Sequence, residues 1–177
     1  MSYALTPPVL KTERLILRAP ELQDFDTYAQ FYTTDRCEFV GGKRTLRMSW
    51  PFFCHHVGHW IMKGFGTFMM QPKAGGTVLG MVMAWHPTGT PEREVGWVIF
   101  DETLEGTGLA HEAASRVLTH VFADLKWDTA VSYIAPGNDR SVALAKKLGA
   151  HLDPAAPQTD PEDPDLVYRH DAARWRA

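Results

Sequence analysis

The segment Glu94–Ala114, E-V-G-W-V-I-F-D-E-T-L-E-G-T-G-L-A-H-E-A-A, constrains the fold more than any other stretch of the chain. Its apolar run predicts a strand over Glu94–Phe100, and Gly106 and Gly108 then break the pattern. From Gly108 onward Ala110, Ala113, Ala114, Val117, Leu118, Val121, Phe122 and Leu125 recur at i, i+3 and i+4, a long helix with one apolar face. A strand that runs through a Gly-rich turn into a helix aims unpaired N–H groups and a positive helix end at one point. That arrangement suits a pyrophosphate. Two familiar alternatives are excluded. A dinucleotide-binding G-x-G-x-x-G would need Gly at His111, and a P-loop would need a Gly-Lys-Ser/Thr that is absent.

The flanking sequence supplies the rest of a mixed sheet. Thr12–Ala19 alternates Leu15, Leu17 and Ala19 with Arg14, Ile16 and Arg18, a first strand. Glu21–Tyr32 has helical spacing. Ser49–Met62 places Phe52, Phe53, Val57, Trp60 and Ile61 on one helical stripe that ends at Gly64 and Gly66. Thr67–Gln71, Val78–Trp85 and Glu94–Phe100 are strands joined by short turn-rich spacers, so they pair antiparallel. A strand over Thr129–Ala135 follows the long helix, and Asn138 or Asp139 caps a helix that Gly149 stops. This strand–helix–strand order implies one parallel crossover. Two final strands, His151–Asp153 and Leu166–His170, flank a loop rich in proline and acid. Neither an internal repeat nor a domain boundary is visible.

Composition narrows the function classes. The 177 residues suffice for one domain with a real core, and a formal net charge of −3 offers no basic field for nucleic acid. Two cysteines, Cys37 and Cys54, make no disulfide framework. The N-terminal stretch from Met1 to Lys11 lacks the layout of a secretory leader, and the longest apolar run, Leu79–Trp85, is too short to span a bilayer. A cytoplasmic protein without nucleic-acid or membrane partners is expected, as a monomer or homodimer.

The turn Glu105–Ala110, E-G-T-G-L-A, resembles the R/Q-x-x-G-x-G/A acyl-CoA signature of the GNAT N-acyltransferase superfamily, matching at Gly108 and Ala110. L-E-G-T-G-L-A-H-E-A is similar to the W-G-K-G-Y-A-T-E-A of the RimJ/RimL-type branch, the ribosomal-protein N-acetyltransferases. T-E-R-L-I-L-R, E-V-G-W-V-I and N-D-R-S-V-A-L-A-K-K-L-G-A resemble other segments of that branch, and the four matches run in order from Thr12 to Ala150. The resemblance implies a single GNAT-type α/β (α+β) domain over residues 1–177, with a mixed twisted sheet of about seven strands flanked by helices. It implies transfer of an acetyl group from acetyl-CoA to a primary amine, a protein N-terminus or a small molecule, by direct attack in a ternary complex.

The resemblance also implies site residues. Gly106, Thr107, Gly108, Leu109, Ala110 and His111 would cradle the pyrophosphate, and Trp97, Val98, Ile99 and Phe100 would pair with the pantetheine arm in a slot beside Thr129–Ala135. A bulge near Gly96 would help the slot form. Asn138 and Ser141 would touch the arm from the other side. Glu94, eleven residues before Glu105, corresponds to the place of a catalytic Glu in many members and would take the amine's proton, directly or through water; a surface acid beside Arg93 is the plainer account. Many members assist the leaving thiolate with a Tyr; Ala145 stands there, which leaves Ser141. Glu105 occupies the usual Arg/Gln position and places an acid near the pyrophosphate, weakening binding unless its side chain turns to solvent. Ala150 replaces a usual aromatic.

On the acceptor side, Phe53 and Trp60 on the aromatic helix are expected to line the pocket, with core packing as the alternative, and His86 is a second base candidate. Cys54, His55, His56 and His59 raise a zinc reading, but H-E-x-x-H and Cys-x-x-Cys pairs are both absent, so no metal is expected. Two further functions stay open: a catalytically weak CoA-binding sensor module, and a transferase for a longer acyl-CoA.

Overall fold

A computed structural model describes residues 6–175; the first five residues of the stretch read above as lacking a leader lie outside it. Eight strands form one sheet in the order β1-β2-β3-β4-β5-β6-β8-β7. They are β1 (Leu10–Lys11), β2 (Leu15–Arg18), β3 (Thr67–Pro72), β4 (Gly80–Trp85), β5 (Glu94–Ile99), β6 (Ala130–Ile134), β7 (His151–Leu152) and β8 (Leu166–His170). The four main helices are α1 (Phe25–Phe31), α2 (Leu46–Lys63), α3 (Leu109–Thr119) and α4 (Asp139–Lys147). Among the described residues no helix is long and apolar enough to cross a membrane.

The sheet has one strand more than the seven expected, for a local reason. Thr12 makes a turn: its N–H donates to Leu15 O at 3.0 Å and its hydroxyl accepts from Leu15 N at 2.9 Å. The run Thr12–Ala19 therefore opens with a hairpin that splits off β1 and leaves β2 only four residues long.

β2 pairs antiparallel with β3 across the long connection that carries α1 and α2, and short spacers make β3 through β5 an antiparallel meander, with β5 paired to β4 from Glu94↔Trp85 to Ile99↔Gly80. The ladder is unbroken at Gly96, so the expected bulge is absent. Gly96 serves another purpose: a Cβ there would lie 2.8 Å from Met83 Cε and 3.2 Å from Glu94 Oε1, so the missing side chain makes room for both side chains. The parallel crossover through α3 brings β6 beside β5, but the two strands pair only at Glu94↔Val131. Beyond that point they diverge, and the edge of β5 has no strand partner; of its carbonyls, Val95 O accepts from Ser132 Oγ at 2.6 Å and Ile99 O from Arg36 Nη2 at 3.0 Å.

Strand alternation divides the core between the two faces. Leu15, Leu17, Phe68, Met70, Val82 and Val95 pack against the α3 stripe, where Ala113 and Ala114 let the helix approach closely. Met69, Met81, Val98 and Phe100 pack against Tyr28, Phe31, Tyr32 and Phe53. Both clusters are removed from water, at roughly 25 cal/mol per Å² of apolar surface. α2 starts before its expected first residue, Ser49, because Thr45 caps it by accepting from Met48 N at 3.3 Å. Its inward residues are Ser49, Phe53, His56, His59 and Trp60, whereas Phe52, Val57 and Ile61 are exposed, so only Phe53 and Trp60 of the stripe expected from spacing turn inward.

Candidate active site

Two cavities meet in the gap between β5 and β6. The larger, about 1080 Å³, runs from the open edge of β5 past the N-termini of α3 and α4. Gly108 caps α3 at φ +84°, a conformation that side chains resist, and a Cβ there would lie 3.5 Å from Arg14 Nη2. The first intrahelical bond runs from Glu112 N to Gly108 O at 3.0 Å, which leaves the amides of Leu109, Ala110 and His111 as the helix's unpaired first-turn donors. Gly106, Gly108, Leu109, Ala110 and His111 line this cavity, as do Trp97, Val98, Ile99, Asn138 and Ser141.

Two residues expected here lie elsewhere. Thr107 turns away, its carbonyl accepting from Arg14 Nη1 at 3.0 Å and its hydroxyl donating to Leu104 O at 2.5 Å. Phe100 is buried in the core, and Arg36 Nε donates to its carbonyl at 3.3 Å. Glu105 does not turn to solvent. Its carboxylate joins Arg36 Nη1 at 2.7 Å and Arg140 Nη1 at 2.5 Å, so the acid at the mouth of this cavity is matched by two guanidinium groups. These features fit a CoA thioester: helix-end amides for a pyrophosphate, cations nearby, and an unpaired strand edge for an extended arm.

The smaller cavity, about 350 Å³, lies on the far side of Ser141. Six residues line both cavities: Phe39, Val40, Trp97, Val98, Asn138 and Ser141. Asn138 Oδ1 caps α4 by accepting from Ser141 N at 3.2 Å, which fixes Ser141 at the junction. Ser141 Oγ accepts from Trp97 Nε1 at 3.3 Å, so its own O–H is free to donate. Glu94 lines the smaller cavity, its carboxyl without a hydrogen-bond partner among the described residues. Burial pushes this carboxyl up to about 7, with the charge of Asp165 as a smaller cause in the same direction. Tyr133 lines the cavity too; burial raises its phenol to about 12 and its hydroxyl donates to Pro157 O at 3.2 Å, so it stays protonated.

None of the three residues expected on the acceptor side lines the cavity. Trp60 is 2% exposed, packs edge-on to Phe68 at 4.9 Å and donates its N–H to Thr67 O at 2.8 Å; it is a core residue. Phe53 is buried against Phe25 and Tyr28. His86 donates its backbone N–H to His59 Nε2 at 3.1 Å, and its ring lines neither cavity. The residues of α2 that do face the cavity are Phe52, His55 and His56; Phe52 and His55 flank the inward stripe and His56 belongs to it. His56 Nδ1 bonds Thr67 Oγ1 at 2.8 Å, and burial drops its ring to about 3, so it is neutral. Arg44, from the loop before α2, and Trp85 complete the wall.

Residues 14–151 match the family model described as an acetyltransferase (GNAT) domain. Among solved structures, an acetyltransferase from Agrobacterium tumefaciens is 40% identical, with 92% of this chain and 94% of that chain covered and a TM-score of 0.85. A GNAT-family acetyltransferase from Bacillus anthracis superposes with a TM-score of 0.77 at 19% identity, over 94% of this chain and 99% of that one. RimL, an α-N-protein acetyltransferase of ribosomal L7/L12 solved with coenzyme A, superposes at 0.74 and 14% identity, over 93% and 98% of the two chains. Among curated proteins, none matches the chain by sequence. The match over 14–151 and the relative that is 40% identical place the chain in the GNAT acetyltransferase family, as an acyl-CoA-dependent acetyltransferase.

Proposed function

We propose that the protein moves an acetyl group from acetyl-CoA in the larger cavity to a primary amine in the smaller one, by direct attack in a ternary complex. The observation that carries this reading is the junction of the two cavities at Trp97, Val98, Asn138 and Ser141, with Glu94 on the acceptor side. The α3 amides hold the pyrophosphate, and the open edge of β5 receives the pantetheine arm. The amine nitrogen attacks the thioester carbon; the N–C bond forms and the C–S bond breaks. Glu94 accepts the amine's proton, and the Ser141 hydroxyl, oriented by Trp97, donates to the departing thiolate.

A carboxyl held near 7 is well matched to this task at neutral pH, because a general base works best with a pKa near the working pH. Its sign is fixed: the carboxylate is the active form, so turnover falls as pH drops below about 7. Thiol release from acetyl-CoA against an amine library, followed across pH, tests the reading. Glu94→Gln is expected to lose about 10²–10⁴-fold in rate at neutral pH and to recover part of it at higher pH, as free amine accumulates. A profile that overlays the unmodified enzyme in height and shape would show that Glu94 is structural.

A further inference from the structure

The acceptor cavity holds a cation that no carboxylate of the described chain neutralises. Arg44 is the only Arg or Lys among the residues lining it, and it lies in the same cavity as Glu94. Its neighbour Lys43 is paired with Asp35 at 2.6 Å, and Arg36, at the other cavity, is paired with Glu105. Arg44 makes no such ion pair. It is nevertheless held in place. Its N–H donates to Tyr32 O at 2.9 Å, and its guanidinium lies over the rings of Phe52 and Tyr32, 3.8 and 4.3 Å from their centroids. A Cβ on Gly41 would collide with Arg44 Nη2, so the loop keeps the space this guanidinium needs. The hydroxyls of Tyr28 and Tyr32 are close enough to share this guanidinium, and ring contacts of this kind orient a planar cation and leave its remaining in-plane N–H donors available for an anion.

We propose that the amine acetylated here is a small molecule that also carries a carboxylate, and that Arg44 binds that carboxylate while Glu94 receives the ammonium end. The assignment rests on the amine-acetylation reading above. The cavity then has a cation and a carboxyl in one enclosure, with Phe52 and Trp85 walling the carbon chain between them. This is the complement of a zwitterionic amino acid. A guanidinium already fixed by packing loses little freedom on pairing with a carboxylate, which favours discrimination by charge over discrimination by shape.

The test compares free amino acids with their carboxamides in the thiol-release assay. Pairs whose amine lies two or more methylenes from the carboxyl, such as β-alanine and γ-aminobutyrate, keep amine basicity nearly equal; α-amino acids and peptides with an acidic N-terminal residue complete the set. The unmodified enzyme is expected to favour the best carboxylate-bearing amine over its amide by about 10–100-fold in kcat/KM, the range of a charge-assisted hydrogen bond. Arg44→Met should bring that ratio to within about twofold, and Arg44→Lys should keep part of it. Acetyl-CoA affinity, measured separately, reports whether each variant is folded. Inhibition of the unmodified enzyme by N-acetyl amino acids, set against N-acetyl amides, gives the same discrimination without any variant. An enzyme that acetylates amines with no carboxylate preference, or an Arg44→Met that retains the preference, overturns this inference and leaves the transferase reading standing. Acidic N-terminal peptides preferred to every free amino acid overturn the small-molecule assignment. Acetyl-CoA binding with no amine consumed removes the transferase reading, and this inference with it.

Discussion

The two cavities that meet at Ser141 are built from different parts of the chain. The larger is defined largely by backbone: helix-end amides at Leu109–His111, three glycines at positive φ (Gly106, Gly108 and Gly137), and the part of β5's edge that β6 does not pair. The smaller is defined by side chains from separate elements: Arg44 from a loop, Phe52 and His55 from α2, Trp85 from β4, Glu94 from β5 and Tyr133 from β6. A backbone site tolerates most changes of side chain, because its donors belong to every residue except proline. A site made of side chains can be respecified one residue at a time. On the proposed reading, the half built from backbone serves the donor and the half built from side chains serves the acceptor.

The largest effect expected from this contrast lies within α2, where adjacent residues serve different purposes. Trp60→Ala should cost about 3–5 kcal/mol of stability, because the indole is core-buried and its N–H is satisfied by Thr67 O. Phe52→Ala, at a residue 45% exposed, should change stability by about 0.5 kcal/mol or less yet raise the Michaelis constant for the amine and not that for acetyl-CoA. Denaturant unfolding and two-substrate kinetics on the pair check this. A reversal, with Trp60 governing the amine and Phe52 governing the melt, would break the division of α2 into core and cavity flanks.

Next in size is the glycine turn. Gly108→Asp adds a side chain and a negative charge where the helix-end amides converge, so the acetyl-CoA dissociation constant should rise by roughly 10–100-fold. Calorimetric titration of a variant that melts normally is the check. Unchanged affinity would show that the backbone cradle is not the donor site, and the backbone half of the comparison would fail.

The same contrast explains what the sequence could and could not disclose. The turn around Gly106 and Gly108 was legible because local backbone chemistry is written in local sequence: a strand pattern, glycines, then a helical stripe. The meander and the single crossover followed from spacer lengths. The splay of β6 from β5 beyond Glu94↔Val131 was legible only through the family resemblance, because no residue pattern encodes a divergence. Of the two α2 residues expected to line the smaller cavity, Phe53 gives way to its neighbour Phe52 and Trp60 lies in the core. Phe52 and Phe53 are both aromatic, and which of them turns inward depends on how α2 lies over β3 and β4, a tertiary fact. Arg44 was legible only as part of the basic cluster Lys43, Arg44 and Arg47, which reads as solvated surface or a phosphate contact until the fold closes Tyr32 and Phe52 around it.

The smallest expected effect concerns Glu105, the acid found where the family pattern has Arg or Gln. It pairs with Arg36 and Arg140, so it subtracts a charge from the cavity that must receive an anionic ligand. Arg36 is anchored independently, since its guanidinium also donates to Ile99 O at 3.0 Å and Phe100 O at 3.3 Å. It would keep its place without the carboxylate. Arg140 is mostly exposed, so its share of the ion pair is screened and weak. Glu105→Gln should therefore leave the melting temperature almost unchanged and tighten acetyl-CoA binding by less than about tenfold at low salt, as two guanidinium groups become free to face phosphate. The gain should shrink as ionic strength rises, which separates an electrostatic cause from repacking. Weaker binding in Glu105→Gln would reverse the sign. Glu105 would then be the residue that holds both arginines in position for the ligand, and side chains would matter on the backbone-built half of the site as well.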